Sequence, residues 1–379
     1  MPRLSIGSHR VLQDLMQASV LGIVVFISRY LTRAPVYYVD GPSLVQSILH
    51  HTYVIQPPGY WLFARVGGLF TDPALGLQLL NEFFSATGAA VFFMLCRKLS
   101  LDRKMAWSAS LCYASIFFIW LAGDIHSSYA SQMLFAPLLV YLFVCYRDHA
   151  SVFYLLACGI CFAFGSGFRP SDGGFLAPLF IFLAYQLIQG WRRRVLLITV
   201  TVFCGLVWYI PGQAASRAAH IITMGHYINI VRPMSLLLSG ITSRTLGNVV
   251  RVILPFFVAF GILIPVLFFK HGRFENRIIV VWVAPGMLFF LTVYMADPVY
   301  FTYLSGALVL LAALSRQQTK ALVLLILCFV FNVALFLFAR PVQGNNRVEQ
   351  ALNFYVVKYC DYGITHQWKS TIGSGAIVP

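Results

Sequence analysis

The sequence predicts an all-α polytopic membrane protein, and three observations predict it. Of 379 residues, 59% are hydrophobic and 10% are charged, whereas a soluble globular chain carries roughly 25% charged residues. The mean hydropathy is +0.79. Eleven segments are apolar enough to cross a bilayer as helices, a few of them at the short end of the roughly 17–25 residues this takes. Such a composition excludes a cytosolic enzyme, a disordered chain and a free nucleic-acid binder. The net charge of +15 resembles a nucleic-acid signal. In a membrane chain it reports basic loops held on the cytoplasmic side.

The expected spans run 13–31, 74–96, 105–123, 127–146, 151–168, 173–190, 195–212, 246–269, 278–296, 299–314 and 320–339. The first follows Arg3 and Arg10 and leads into Arg29-Tyr30-Leu31-Thr32-Arg33. That is a poor match to the small-residue site of a cleaved signal, so an uncleaved span is expected. The stretch 57–70 is apolar but short and opens on Pro57-Pro58-Gly59. It is expected to lie on the membrane as an interfacial helix with Arg65 as its polar handle. Charge placement supports this choice. With the N-terminus inside, 15 of the 27 basic residues fall on the inner side, mostly in clusters such as Arg97, Lys98, Arg103, Lys104 and Arg192, Arg193, Arg194. A crossing at 57–70 would put both clusters outside, against the positive-inside rule.

Three segments then face outward and are long enough to hold a site: 32–73, 213–245 and 340–379. The chain divides into a transmembrane module over 1–215 carrying the 32–73 loop, further helices over 216–339, and a short outer tail over 340–379. There is no soluble domain, heptad repeat or low-complexity tract. Of eight cysteines, only Cys360 sits in a polar stretch. Cys158 and Cys161 form a lone CxxC inside an apolar helical pattern, which reads as core packing rather than as a redox or metal motif. The histidine pairs His50, His51 and His220, His226 have no recognisable metal-ligand spacing. The absence of an Asn-x-Ser/Thr sequon, with the compact length, favours a bacterial inner membrane with the site facing outward.

The chemistry-bearing stretch is Tyr37-Tyr38-Val39-Asp40-Gly41-Pro42, followed by Gln56-Pro57-Pro58-Gly59-Tyr60-Trp61. Asp40 lies among aromatics at the membrane surface, where a carboxylate is placed to take a proton from an incoming hydroxyl. The paired prolines suit the first turn of a helix. Glu82 falls inside the second expected span, and an intramembrane carboxylate is a functional candidate by default. Gly123-Asp124-Ile125-His126 opens an outward turn. Its bland alternative is a polar helix-end cap.

These motifs, with Phe70-Thr71-Asp72, Gly165-Ser166-Gly167-Phe168-Arg169-Pro170 and Trp208-Tyr209-Ile210-Pro211, resemble the GT-C superfamily of membrane glycosyltransferases. The likeness is to the branch of protein O-mannosyltransferases and the lipid A aminoarabinose transferase. It covers about residues 10–215 and rests on the order and spacing of individually weak motifs. It implies juxtamembrane helices in the first outer loop, and an inverting transfer of a sugar from a polyprenyl-phosphate donor to a hydroxyl of a glycan, lipid or protein. Asp40 would be the general base, with Asp124 and His126 assisting. Tyr37, Tyr38, Gln56, Pro57, Pro58 and Tyr60 would line the donor site. Arg169 and Arg65, and more weakly Arg217, Arg232 and Arg244, would meet the phosphate, since guanidinium groups bind such oxygens in pairs. No cofactor is required, and the resemblance leaves room for a divalent ion at Asp40. Two departures stand out. Gln56 and Ser43 occupy positions where the family carries cations. They keep open a non-catalytic lipid-binding relative, and a transporter or flippase of a lipid-linked sugar is the other alternative.

Overall fold

The computed structural model describes residues 4–33, 41–50, 60–124, 126–218, 229, 232–293 and 298–338, and these form helices and turns with no strand. In chain order the first ten helices are α1 (Leu4–Leu31), α2 (Gly41–Leu49), α3 (Trp61–Gly67), α4 (Pro73–Lys98), α5 (Arg103–Ser115), α6 (Phe117–Asp124), α7 (Ser131–His149), α8 (Val152–Phe168), α9 (Pro170–Leu187) and α10 (Trp191–Ala218). Helices Ser243–Phe260, Arg273–Thr292, Thr302–Ala313 and Gln318–Phe338 follow. Each of the eleven apolar segments carries helix. Among the described residues, six helices are long and apolar enough to cross a membrane, and seven if α5 and α6 count as one bent span.

Local chemistry sets the helix starts. Asp72 accepts from Ala74 N at 2.9 Å and Leu75 N at 3.4 Å, with Pro73 in the first turn of α4, satisfying donors that have no partner within the helix. Asp102 caps α5 through Met105 N at 2.7 Å. The described part of the 57–70 stretch is the two-turn helix α3. It does not only lie on a lipid surface, because Phe63, Ala64 and Gly67 are buried against the bundle. A Cβ on Gly76 would stand 2.1 Å from the Gly67 carbonyl oxygen, so backbone rests on backbone where α3 meets α4.

The expected straight span 105–123 is broken. α5 and α6 meet at 67° around Ile116, and the break frees backbone groups that must find partners inside the protein. Arg29 Nη2 of α1 donates to the Ala114 carbonyl at 2.6 Å. Asn332 Oδ1 accepts from Phe117 N at 3.1 Å, while Asn332 Nδ2 donates to Ala259 O at 3.0 Å.

α4 and α7 occupy the centre, with Gly88 so close to α7 that a Cβ would stand 2.5 Å from Met133 O. Their apolar windows are 61% and 72% buried, against 17% for α1 and 11% for α10. Val20, Ile23 and Ile27 on α1 and Val202, Phe203 and Ile210 on α10 point outward. An apolar face that large is what a lipid surround demands and water opposes. Helix α10 also continues past the expected 212 to Ala218. Arg217, expected in the 213–245 loop, therefore falls on its last turn, with its side chain outside the described residues.

Candidate functional site

Two charged clusters meet at one end of the bundle. The first is built on the last turn of α1 and the two residues after it, which present Arg29, Thr32 and Arg33. Arg29 is 1% exposed, and its guanidinium lies 4.4 Å over the Trp120 ring. Thr32 Oγ1 accepts from Trp120 Nε1 at 3.0 Å and donates to Asp124 Oδ2 at 2.8 Å. Gly123 makes room for this arrangement. A Cβ there would stand 2.6 Å from Ser85 Oγ and 2.8 Å from Arg29 Nε. Asp124 Oδ1, Arg29 Nε and Ser85 Oγ are buried with no hydrogen-bond partner. One step outward, Arg33 grips Glu82 with both ends of its fork, the Nη2–Oε2 bond at 2.8 Å. Arg33 also lies 4.1 Å over the Tyr30 ring. The Glu82 hydrogen bond holds the Arg33 guanidinium above its ordinary pKa.

The second cluster surrounds Arg169 at the α8–α9 junction. Its guanidinium stacks 3.8 Å over Tyr129, with the Tyr60 and Tyr300 rings each at 5.6 Å. Its Nε lies 3.3 Å from Asp172 Oδ1, and its Nη1 donates to Ser128 Oγ at 3.2 Å. Gln132 Nε2 donates to the same Asp172 oxygen at 2.5 Å. Such packing of a planar cation between rings is worth more when desolvated.

Asp124 and the residues 126–128 lie between the clusters. Asp124 belongs to the first and Ser128 to the second, and four residues span at most about 14 Å. Between them Asn81 Nδ2 of α4 donates to Ser127 O at 2.8 Å. His126 is 1% exposed with Nδ1 unpartnered, and burial lowers its pKa to about 4 against the pull of Asp72. A depressed histidine pKa means the unfolded chain binds the extra proton first. Stability from neutral His126 is therefore complete above about pH 6.5 and is lost as pH falls to about 4, a difference of about 3 kcal/mol. Unfolding midpoints in detergent between pH 7 and pH 4 should fall less steeply for His126→Gln than for the parent chain.

The expected site residues are distributed as follows. Asp124, His126, Arg169 and Tyr60 gather at this end. All four are buried, whereas the sequence placed Asp124 and Arg169 at open outward positions. The partners lie inside the bundle: Arg169 has Asp172 at 3.3 Å as its counter-ion, and Asp124 is held by the Thr32 hydroxyl. Arg65 is exposed, with its guanidinium 5.8 Å from the Trp61 ring. Arg232 and Arg244 are exposed on a different segment. Glu82, expected inside the second span, pairs with a residue just beyond the end of α1. It therefore lies at the end layer of the bundle. Asp40, Tyr37, Tyr38, Gln56, Pro57 and Pro58 lie outside the described residues, as do Asp297 and the tail 340–379. Sequence reasoning missed Arg29, Arg33, Gln132 and Asp172 as members of the site. The signal was available for the arginines: Arg29 and Arg33 are four residues apart where the first apolar segment ends, and a buried Glu82 calls for a cation.

Among the described residues, no group of three or more His, Cys, Asp and Glu side chains is placed to hold a metal ion. No family model matches the chain, and no curated protein sequence matches it.

Proposed function

We propose that this chain is an inverting membrane glycosyltransferase using a polyprenyl-phosphate sugar donor and a hydroxyl acceptor on a glycan, lipid or protein. Its eleven spans would place the site on the outer face of a bacterial inner membrane. The observation that carries the reading is the pair of ion clusters flanking the loop that bears Asp40. Arg33 is clamped by Glu82 immediately before 34–40, and Tyr60 sits beside Arg169 immediately after 51–59. A loop anchored at both ends on rigid, charge-balanced supports suits a base that must be held at a reacting hydroxyl.

In this reading Asp40 takes the acceptor proton as the hydroxyl oxygen attacks the anomeric carbon. The polyprenyl phosphate leaves with the bonding electron pair. A phosphate is a stable leaving anion and needs cations more than a general acid. Arg65 and the exposed part of Arg33 supply those cations, while Arg169, Asp124 and His126 position the loop. The test is sugar transfer by purified protein in liposomes containing a polyprenyl-phosphate sugar. Asp40→Asn should lower turnover by at least about a hundredfold while leaving the unfolding midpoint unchanged. Full activity in that variant would overturn the assignment of the base.

A further inference from the structure

The opposite end of the bundle carries a second charged construction. Asp14 and Arg29 are fifteen residues apart on α1, about 22 Å along its axis. Beside Asp14, helix α1, the α4–α5 turn and the Gln318–Phe338 helix border two open, adjoining recesses of about 530 and 480 Å³ that share Arg103 and Lys104.

The first recess is polar, and two of its cations are fixed. Asp14 is 8% exposed and accepts from Arg97 Nε at 3.0 Å and from Arg103 Nε at 3.1 Å. Arg103 Nη2 also donates to Gln13 Oε1 at 2.7 Å, and Arg97 Nη1 donates to the Leu101 carbonyl. Asp102 is occupied as the cap of α5. One carboxylate thus offsets two arginines. Arg10 and Lys104, on the same wall, have no ion pair among the described residues. The wall is left with an excess of positive charge, with Arg97 and Arg103 held in place on Asp14.

The second recess changes character. Beyond Arg103 and Lys104 it is lined by Trp107, Leu322 and Ile326. Trp107 is held by its Nε1 bond to Gln17 Oε1 at 3.0 Å, and Ile326 is 45% exposed on the outer side of its helix. Cations that give way to an apolar slot along the side of a bundle match an amphiphile with a phosphate head. A freely dissolved anion would leave the slot unused.

We propose that these joined recesses bind one net-anionic, phosphate-bearing membrane lipid, its phosphate at Arg103 and Lys104 and its chain along Trp107, Leu322 and Ile326. This site is independent of the transfer chemistry proposed above. The experiment uses the purified full chain in neutral detergent with three probes: phosphatidylglycerol, phosphatidylcholine and inorganic phosphate. Native mass spectrometry and the unfolding midpoint are the readouts. Phosphatidylglycerol should be retained and should raise the midpoint, and the other two should do neither. Lys104→Gln should weaken phosphatidylglycerol about fivefold, and Ile326→Trp, which fills the apolar slot, should also reduce retention. Arg192→Gln, an exposed cation on α10, should leave it unchanged. Inorganic phosphate stabilising as strongly as the lipid would overturn the lipid assignment. Equal retention of phosphatidylcholine, or equal losses in Lys104→Gln and Arg192→Gln, would overturn the site.

Discussion

Glu82→Ala lowers the stability of the chain by about 3–5 kcal/mol, the cost of leaving one partner of a buried ion pair without the other. Glu82 is fully buried and receives both ends of the Arg33 fork, so no water replaces its oxygens. Arg33 keeps 21% of its side chain exposed and can turn partly to solvent, which puts Glu82→Ala at the lower end of the range, whereas Arg33→Met strands the fully buried Glu82 and falls at the upper end. The double variant Arg33→Met, Glu82→Met should recover much of the loss, because a well-packed apolar pair is often as stable as the ion pair it replaces. Unfolding midpoints in detergent for the two single variants and the double variant measure the coupling. Additive losses would mean that the pair contributes no mutual stabilisation.

The second large effect falls on Asp172→Ala, also about 3–5 kcal/mol. Arg169 is 6% exposed, and its remaining contacts would be tyrosine rings and the Ser128 hydroxyl. Rings attract a cation but do not neutralise it. The same change removes the acceptor of Gln132 Nε2, a second buried polar group left unsatisfied. Asp172→Asn keeps an acceptor for Gln132 and should cost less. Arg169→Lys should lose part of the stacking on Tyr129, because a compact ammonium has no plane to lay on the ring. Unfolding midpoints ranking Asp172→Ala below Asp172→Asn would support this account. An Asp172→Asn variant as stable as the parent chain would show that the carboxylate charge is not what holds Arg169.

The polar residues divide by the distance over which their partners act. Asp72 and Asp102 are legible as helix caps because the N–H groups they satisfy are two or three residues away. The lone CxxC of Cys158 and Cys161 reads correctly as core, and both thiols are free and buried. Glu82 stood out as a carboxylate in an apolar run, yet nothing nearby in sequence names its partner. Arg33 lies 49 residues earlier. Arg169 was visible as a cation at a helix end, and that pattern alone suits an open phosphate contact as well as a buried ion pair. Asp172 lies within one turn of it, but only the packing of the helices brings the Tyr129 and Tyr300 rings over it.

The sequence by itself determined the helical class, the apolar segments, the separation of charge between loop clusters and a few buried positions, and the local caps. These follow from hydropathy and from chemistry within one helical turn, which a linear reading contains. The tertiary structure alone decided the break at Ile116 and the burial of the candidate charges. The break persists because Arg29 and Asn332, 85 and 215 residues away from the groups they satisfy, reach the freed backbone. Glu82 is buried because the end of α1 brings Arg33 to it from 49 residues away, whereas Arg169 has Asp172 within one turn and needs the packed helices for its surrounding rings; in a low-dielectric interior an ion is stable only where such a partner stands beside it.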